Sequence, residues 1–557
     1  MAEAEIRPEE RTLVEWLDQM DGEAEAAKAD YSRHWEENAK LVKGDGQWRS
    51  TRTPLFLMNI IGNQYERKVA QVSESKPTFA VLSRTATLGS AAKVLDKTCR
   101  ARLEEENFPL RIERLARCGM VMGSGLIATL WSPLADDVQF VVYDPRAVYL
   151  DPGVTEAAQL SQQALYVRID HVMPLHEISR LCPGRGSLVQ ADARYSGFQP
   201  KVAGRDHGVL SAVGRAIARP WKRQEGSKSG PFKRAVIKEY WVRDPDVGSF
   251  PGGRRIIRGD GLILKDDPNE YWDGEFPFDM LDWRMDLESP YGYDDIQDLK
   301  KIQEALNRVG DAVVRNALFN SQTWVIADTN ALDPQAWKAV TNEGGLIVKK
   351  RPMRDFRREP PPALPAYLFQ LIQALPGMAD LLTGNADSAG RRAGKGAMDS
   401  ILDGLQTAGS PLARMIARRI EALVARVGKR LISRIIQFYM TNRLLSYHDP
   451  SGELIEYLYE RSKLLVDDEG KSLIADELPK LHNKFRFLVQ PYSSMAMTKM
   501  QRAQVALGLW QATMGRAYPI RRVLEHADVG DPDMLIAEAQ AEQNSGLVPP
   551  PAPPVKR

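Results

Sequence analysis

Apolar residues recur every three or four positions through much of the chain, and the places where that period breaks divide it into elements. Over residues 9–38 a polar stretch carries apolar beats at Leu13, Trp16, Leu17, Met20, Tyr31 and Trp35, which predicts an amphipathic helix forming an acidic surface arm. Residues 54–75 set Leu57, Ile60, Ile61, Tyr65, Val69 and Val72 on one side of a helix that Pro77 stops. Helical patterns at 88–106 and 110–120 give way to strands at 125–131, 138–143 and 164–169, a short helix at 176–181 closed by Pro183, and a strand at 235–242. Residues 255–257 and 262–264 flank Arg258, Gly259, Asp260 and Gly261 as a hairpin. The periods predict an α+β chain with an antiparallel or mixed sheet, and residues 184–230, rich in Gly, Ser, Arg and Lys, as an exposed insertion.

The second half changes character. Between 294 and 318 the apolar residues Ile296, Leu299, Ile302, Leu306, Val309 and Val313 form a narrow seam, repeated at 364–382 by Leu368, Leu371, Leu375, Met378 and Leu382 with a bend at Pro376. Such slender seams suit helices that pack against a neighbour along a strip. Between them lies a small insert with strands at 323–327 and 346–349 and a basic run, Lys349, Lys350, Arg351, Arg354, Arg357 and Arg358, ended by Pro360, Pro361 and Pro362. A Gly/Ala-rich loop at 384–396 leads into a helical stretch over 398–442, interrupted at Gly409, Ser410 and Pro411, which would reach about 65 Å as one helix. A hairpin at 444–458, a strand at 485–489, helices at 499–513 and 520–541 and a proline-rich tail complete the chain.

Length and composition narrow the class without naming a function. The 557 residues, 27% charged and 43% hydrophobic, are ordinary for a soluble protein of roughly three or four domains. The net charge of +2 leaves any nucleic-acid contact to local patches. Three cysteines without CxxC spacing argue against a disulfide scaffold and a zinc module, and fit a reducing compartment. The first thirty residues hold ten Asp and Glu against three Lys and Arg, the wrong sign for a targeting peptide. The most apolar stretch, 363–382, is broken by Pro365, Pro376, Gln370, Gln373 and Asp380, so no membrane span is expected.

Motifs of catalysis are weak. Gly470, Lys471 and Ser472 resemble the end of a phosphate-binding loop, but the position five residues before Gly470 is Leu465 rather than glycine, and the backbone arch is missing. Gly119, Gly123 and Gly125 precede a strand instead of joining strand to helix, so they read as a structural turn. His171, His176 and Cys182 are spaced for neither one helical face nor a zinc knuckle, and Asp467, Asp468 and Glu469 read as a solvated acidic loop. No catalytic residue, metal or cofactor is expected. Charge says more: residues 384–443 hold eleven Lys and Arg against four Asp and Glu, a local +7. Arg414, Arg418, Arg426, Arg430 and Arg434 fit either a solvated face opposite Ile416, Ile420, Leu423, Val427, Leu431 and Ile435 or a phosphate contact. Arg391, Arg392 and Lys395, on a Gly-rich loop, suit a polyanion met without base reading.

Several segments, in this order, resemble the portal proteins, or head–tail connectors, of tailed double-stranded DNA bacteriophages. YDPRAVYLDPG at 143–153, followed by LYVRID and a helix ending in LCP, is similar to the family's wing pattern. SPYGYDDIQDLKKIQEALN at 289–307 resembles the entry into the first stem helix, where a glycine precedes a helix bearing a Gln and an Asn four apart, here Gln303 and Asn307. LLTGNADSAGRRAGKGAMDSILDGLQ at 381–406 is similar to the passage from second stem helix through tunnel loop to long wing helix, and FLVQPYSSMAMTKMQRAQ at 487–504 to the turn before the terminal helices. The likeness covers about 54–541; the insertion at 184–230 has no counterpart, and Lys395-Gly396 stands where the family usually has Ser-Gly.

The resemblance implies a portal fold: an acidic helical arm at 1–53, an α+β wing at 54–288, stem helices at 289–318 and 364–383, and a small β-containing clip at 319–363. It further implies a tunnel loop at 384–397, a long wing helix and wing strands at 398–490, a C-terminal helical crown at 491–545 and a flexible tail at 546–557. Such a protein is not an enzyme. It forms a homo-oligomeric ring, usually a dodecamer, at one capsid vertex, the channel for genome packaging and ejection. Its partners are double-stranded DNA, terminase, a head–tail adaptor, the major capsid protein and scaffold, with no membrane; it resides in the virion, and in host cytoplasm during assembly. On this reading Arg391, Arg392 and Lys395 meet DNA, and the basic run from Lys349 to Arg358 faces the motor or the adaptor. The competing classes are a DNA-processing enzyme, terminase or nuclease, which lacks its nucleotide or metal motif here, and a capsid or tail protein without a channel.

Overall fold

The alternation at 235–242 lies at the centre of a five-stranded sheet in the computed structural model, which describes residues 11–45, 56–73, 78–192, 233–243, 252–321, 324–327, 356–359, 366–383, 411–448, 453–468, 470–472 and 478–489. The sheet runs β4 (Val148–Leu150), β5 (Tyr166–Pro174), β6 (Arg234–Val242), β7 (Arg254–Gly259), β8 (Leu262–Pro268), each strand antiparallel to its neighbour. Because successive side chains point to opposite faces, β6 splits its apolar residues. Ala235 and Ile237 join Ile178 and Cys182 of a short helix, α5 (Leu175–Leu181), together with Val189, Ile257, Leu262 and Leu264. Tyr240 and Val242 face the other way, with Tyr166, Ile256 and Ile263, onto the first helix, α1 (Arg11–Val42). The β7–β8 turn places Asp260 and Gly261 both at positive φ, 49° and 79°, the geometry a two-residue hairpin requires, so the RGD triplet is a turn.

A second sheet, β3 (Asp137–Tyr143), β2 (Ser124–Ser132), β9 (Phe278–Asp282), is covered on one side by α4 (Phe108–Met122) and on the other by α8 (Pro411–Phe438). Its first six β2 residues are all buried, which is why that strand reads as a continuous apolar run. Gly123, at φ 76°, ends α4 and turns directly into β2; a Cβ on Gly119 would come within 2.8 Å of Trp283. The glycine cluster is therefore a turn, as the sequence predicts. Around this layer one contiguous core runs from Trp35 to Phe487, joined by α2 (Ile60–Ser73), α3 (Gly89–Glu105) and the antiparallel pair β1 (Phe79–Ser83) and β14 (Phe485–Val489). The hairpin β12 (Arg443–His448) and β13 (Leu454–Tyr459) lies against α3, where Tyr457 donates to Thr98 at 2.5 Å.

The narrow-seam helices are α6 (Ile296–Ser321) and α7 (Ala366–Thr383), which pack on one another, joined through the antiparallel pair β10 (Trp324–Ala327) and β11 (Phe356–Glu359). The pairing differs from the expected tip: β10 bonds with residues of the basic run, Arg357 opposite Ile326 and Arg358 opposite Val325, while 346–349 lie outside the described residues.

Three other expectations need correction. The acidic arm is no surface arm: α1 buries Val14, Leu17, Met20 and Ala24 on the five-stranded sheet and Trp35 and Leu41 in the main core. Its carboxylates found partners, because the sheet face beneath it is cationic. Of the helical stretch expected over 398–442, residues 398–410 lie outside the described residues, and the described part is a helix of 28 residues over Pro411–Phe438, about 42 Å long. It stops before Asn442, where Arg461 donates to the carbonyls of Ile436 and Tyr439 at 3.2 and 2.9 Å and satisfies its last turn. The seams, finally, are not left wholly to neighbours: Ile296, Leu299 and Leu306 of α6 and Leu375 of α7 are buried within the chain.

Candidate functional site

The residues the sequence singles out for DNA, Arg391, Arg392 and Lys395, lie outside the described residues, as do Lys349, Lys350, Arg351 and Arg354. Of the basic run only the backbones of Arg357 and Arg358 are described, on β11. The structure does define the base from which both segments depart.

That base is the α6–α7 pair and the helix it grips. Residues 56–61 run along one face of α6. Gly310 receives the Phe56 ring so closely that a Cβ there would stand 2.2 Å from it. Asn307 accepts from the Met58 N–H at 3.1 Å, and Gln303 accepts from the N–H groups of Ile60 and Ile61 at 2.8 and 3.2 Å while donating to Met58 O at 2.5 Å. Gln303 and Asn307, carried by the sequence only as a family feature, thus satisfy the orphan donors at the start of α2, assisted by Asn59 on Gly62 N at 2.8 Å. Further along α2, Gln64 donates to Asp380 at 2.6 Å and accepts from the Thr383 hydroxyl at 3.1 Å, Arg67 reaches Asp380 at 3.1 Å, and Lys68 donates to Thr383 O at 2.6 Å. Lys68 is fully buried, and burial lowers its pKa, opposed by Asp295 at the head of α6. Residues 56–61 run down α6 from Gly310 to Gln303 and α2 continues from there to the end of α7, so the two helices run antiparallel. Polar residues at 64 and 68, in step with Ile61, Tyr65, Val69 and Val72, were the readable signal for this site.

Along one flank of α7, Tyr367, Leu371, Met378 and Leu382 are exposed, the first by 63%. At the head of α6, Asp294 accepts from the N–H groups of Ile296 and Gln297, both at 2.9 Å. Burial nevertheless raises its pKa to about 6, with Asp295 adding repulsion.

The arginine stripe on α8 is neither a solvated face nor a phosphate contact over its second half. Arg430 bonds Asp279 at 2.7 Å, Arg434 bonds Asp273 at 2.7 Å and stacks on Tyr271, and Arg419 bonds Asp282 at 2.7 Å. Arg426 donates to Met280 O at 2.8 Å. Arg430 and Arg434 are buried, so these charges attach α8 to the β9 region. Arg414 and Arg418, nearer the start of the helix, face outward.

Beneath α1 one cation rises from each of three adjacent strands: Arg168, Lys238 and Arg258. Lys238 and Arg258 stand directly opposite in the ladder, an arrangement that repels unless screened. Asp21 screens it, accepting from Arg168 at 2.7 Å, Lys238 at 2.6 Å and Tyr240 at 2.9 Å, while Asp18 takes Arg258 at 2.7 Å and Glu25 takes Arg168 at 2.9 Å. A cleft of about 780 Å³ opens beside them, but each of its three cations is already paired. One turn on, Lys28 is buried between Arg146 O and Val148 O at 2.7 and 2.6 Å; burial drops its pKa to about 7. On the opposite face of the sheet Glu239 receives His171 at 2.8 Å and Arg255 at 2.7 Å, and although burial alone would raise its pKa, these partners hold it at about 2.

The remaining motifs are architectural. The Gly470–Ser472 stretch closes a tight turn in which Lys471 N donates to Asp467 Oδ1 at 2.7 Å, with Gly470 at φ 81°. Asp468, read as a solvated acid, caps α3 from 379 residues away, accepting from Gly89 N at 2.9 Å and Ser90 N at 3.0 Å. Among the described residues no group of His, Cys, Asp and Glu could hold a metal ion, and no helix is long and apolar enough to cross a membrane.

The model of a family described as phage P22-like portal protein matches residues 15–550. No curated protein matches the chain.

Proposed function

Since the chain belongs to the phage P22-like portal protein family, with nearly its whole length matched, we propose that it is one subunit of a ring at a single capsid vertex, through which double-stranded DNA is packaged and later ejected. Portal proteins are structural components of the virion, and the work of such a ring lies in its shape and surfaces rather than in a reacting group. α6 and α7 are its stem and β10–β11 the start of its clip, which faces terminase during packaging and the head–tail adaptor afterwards. Major capsid protein and scaffold surround the ring during assembly in the host cytoplasm. The usual count for such a ring is twelve.

The observation that carries the reading is the outer face of α7. A free subunit would leave Tyr367, Leu371, Met378 and Leu382 to water along one flank of the helix, whereas a ring covers them with the next subunit's stem. The residues after Thr383 then enter the channel, where Arg391, Arg392 and Lys395 meet phosphates without reading bases. Each subunit brings three cations, enough in a ring to hold a polyanion weakly and too few to stall it.

Packaging with variant portals tests this directly. Alanine at Arg391, Arg392 and Lys395 leaves rings intact and alters DNA retention in a salt-sensitive manner. Charge reversal at Arg354, Arg357 and Arg358 blocks terminase or adaptor docking while sparing rings. Variant particles that package, retain DNA at low and high salt, and dock like the parent would reduce both sets of cations to solvated loops.

A further inference from the structure

Helix α2 touches both stem helices, and it does so with opposite ends. Its first turn has donors and no intrahelical acceptors, and these are taken by side chains of α6, chiefly Gln303. Its second and third turns present Gln64 and Lys68 to the last turn of α7, whose carbonyls lack intrahelical donors. From Ile60 to Lys68 is about 12 Å along the axis, a distance a helix spans without slack.

Lys68 is the telling residue. An aliphatic side chain would fill its site without the desolvation that a buried ammonium entails. What the ammonium adds is position: its hydrogen bond goes to the carbonyl of Thr383, the final residue of α7, at the negative end of that helix. Asn307 adds to the impression of a set register. It is fully buried, its Oδ1 is used by Met58 N, and its Nδ2 has no partner among the described residues. A half-satisfied amide is retained where its other half fixes a backbone.

We propose that α2 is a rigid two-ended clamp that sets the axial register of α6 against α7, gripping α6 through Gln303 and α7 through Lys68, so that a shift of one stem helix is felt at the end of the other. Its geometry stands without the proposed function. Only the consequence rests on that reading: the clamp then holds the point at which the chain leaves the stem for the channel loop.

Amide hydrogen exchange on the purified full-length protein, without DNA, tests the coupling. Gln303→Leu removes the grip on α6 and Lys68→Met the grip on α7, while Lys301→Met, on the solvent side of α6, is the control. Gln303→Leu should speed exchange in the last turn of α7, to which Gln303 makes no hydrogen bond among the described residues, by tenfold or more, and Lys68→Met should do the same in the first turn of α2. Thr383→Val, a milder change that removes one hydroxyl bond to Gln64, should produce the Lys68→Met effect at smaller amplitude. If each variant speeds exchange only at its own end, α2 is packing and not a clamp. Because no DNA is present, a channel loop that failed to bind DNA would leave this result untouched.

Discussion

Asp21 shows how much a single carboxylate can hold in this protein. Burial disfavours its charge, but Lys238 and Arg168 overcome that and hold its pKa below the usual carboxylate range. Removing it with Asp21→Ala leaves Arg168 and Lys238 crowded on one sheet face, a loss of about 1 to 3 kcal/mol because Arg168 keeps Asp170 and Glu25. The expected outcome is release of the first half of α1, read as protease cleavage between Arg11 and Lys28 that the parent resists. A different sign governs Asp294. Its folded pKa of about 6 exceeds the unfolded value of 3.8, so the folded state binds the extra proton between those values. The stability it contributes is complete below pH 3.8 and lost as pH rises through 6, by up to about 3 kcal/mol. Asparagine caps helices equally well without the charge. Asp294→Asn should therefore raise the melting temperature at pH 7 and flatten its dependence on pH between 4 and 6; an unchanged slope would exclude Asp294 as its source.

At the scale of elements, α8 depends on one close approach. A Cβ on Gly428 would stand 2.3 Å from the Phe487 ring, which itself stacks on Phe79 at 4.4 Å and so cannot easily swing aside. Gly428→Ala should lower the unfolding midpoint, by about 1 to 3 kcal/mol of overpacking, and Phe487→Leu in the same chain should restore part of it. Equal stability of parent and Gly428→Ala would mean that β14 gives way freely. Elements were also what the amino-acid pattern revealed best. The periods at 235–242, 255–264 and 294–318 each became the expected strand, hairpin or helix within a few residues, because helical and strand periods are local properties. Partners were not legible. Arg430 and Arg434 look like a solvated stripe until Asp279 and Asp273, about 150 to 160 residues earlier, are brought beneath them. Asp468 caps a helix 379 residues earlier, and Lys238 faces Asp21, 217 residues before it, only because α1 packs on that face of the sheet. The candidate site divides along the same line. Its helices were visible as seams, whereas the grip of Gln64 and Lys68 on Thr383 depends on a tertiary approach that no spacing encodes.

At the scale of the whole molecule, the proposed ring would complete surfaces that the single chain leaves open. One flank of α7 is apolar and exposed, α1 packs on α6 and α2 on both α6 and α7, and the charges that could have formed a basic field on α8 are spent largely on internal pairs. On the proposed reading, neighbouring subunits would meet the apolar flank of α7, and a polyanion would meet the cations that the sequence places at 349–358 and 391–395. The measurement closest to this claim is electron microscopy of the purified full-length protein. Closed rings with a central hole, in which neighbouring copies meet through the outer face of α7, are the predicted result. Monomers with that face bare, or closed assemblies that bury α7 without leaving a channel, would contradict it.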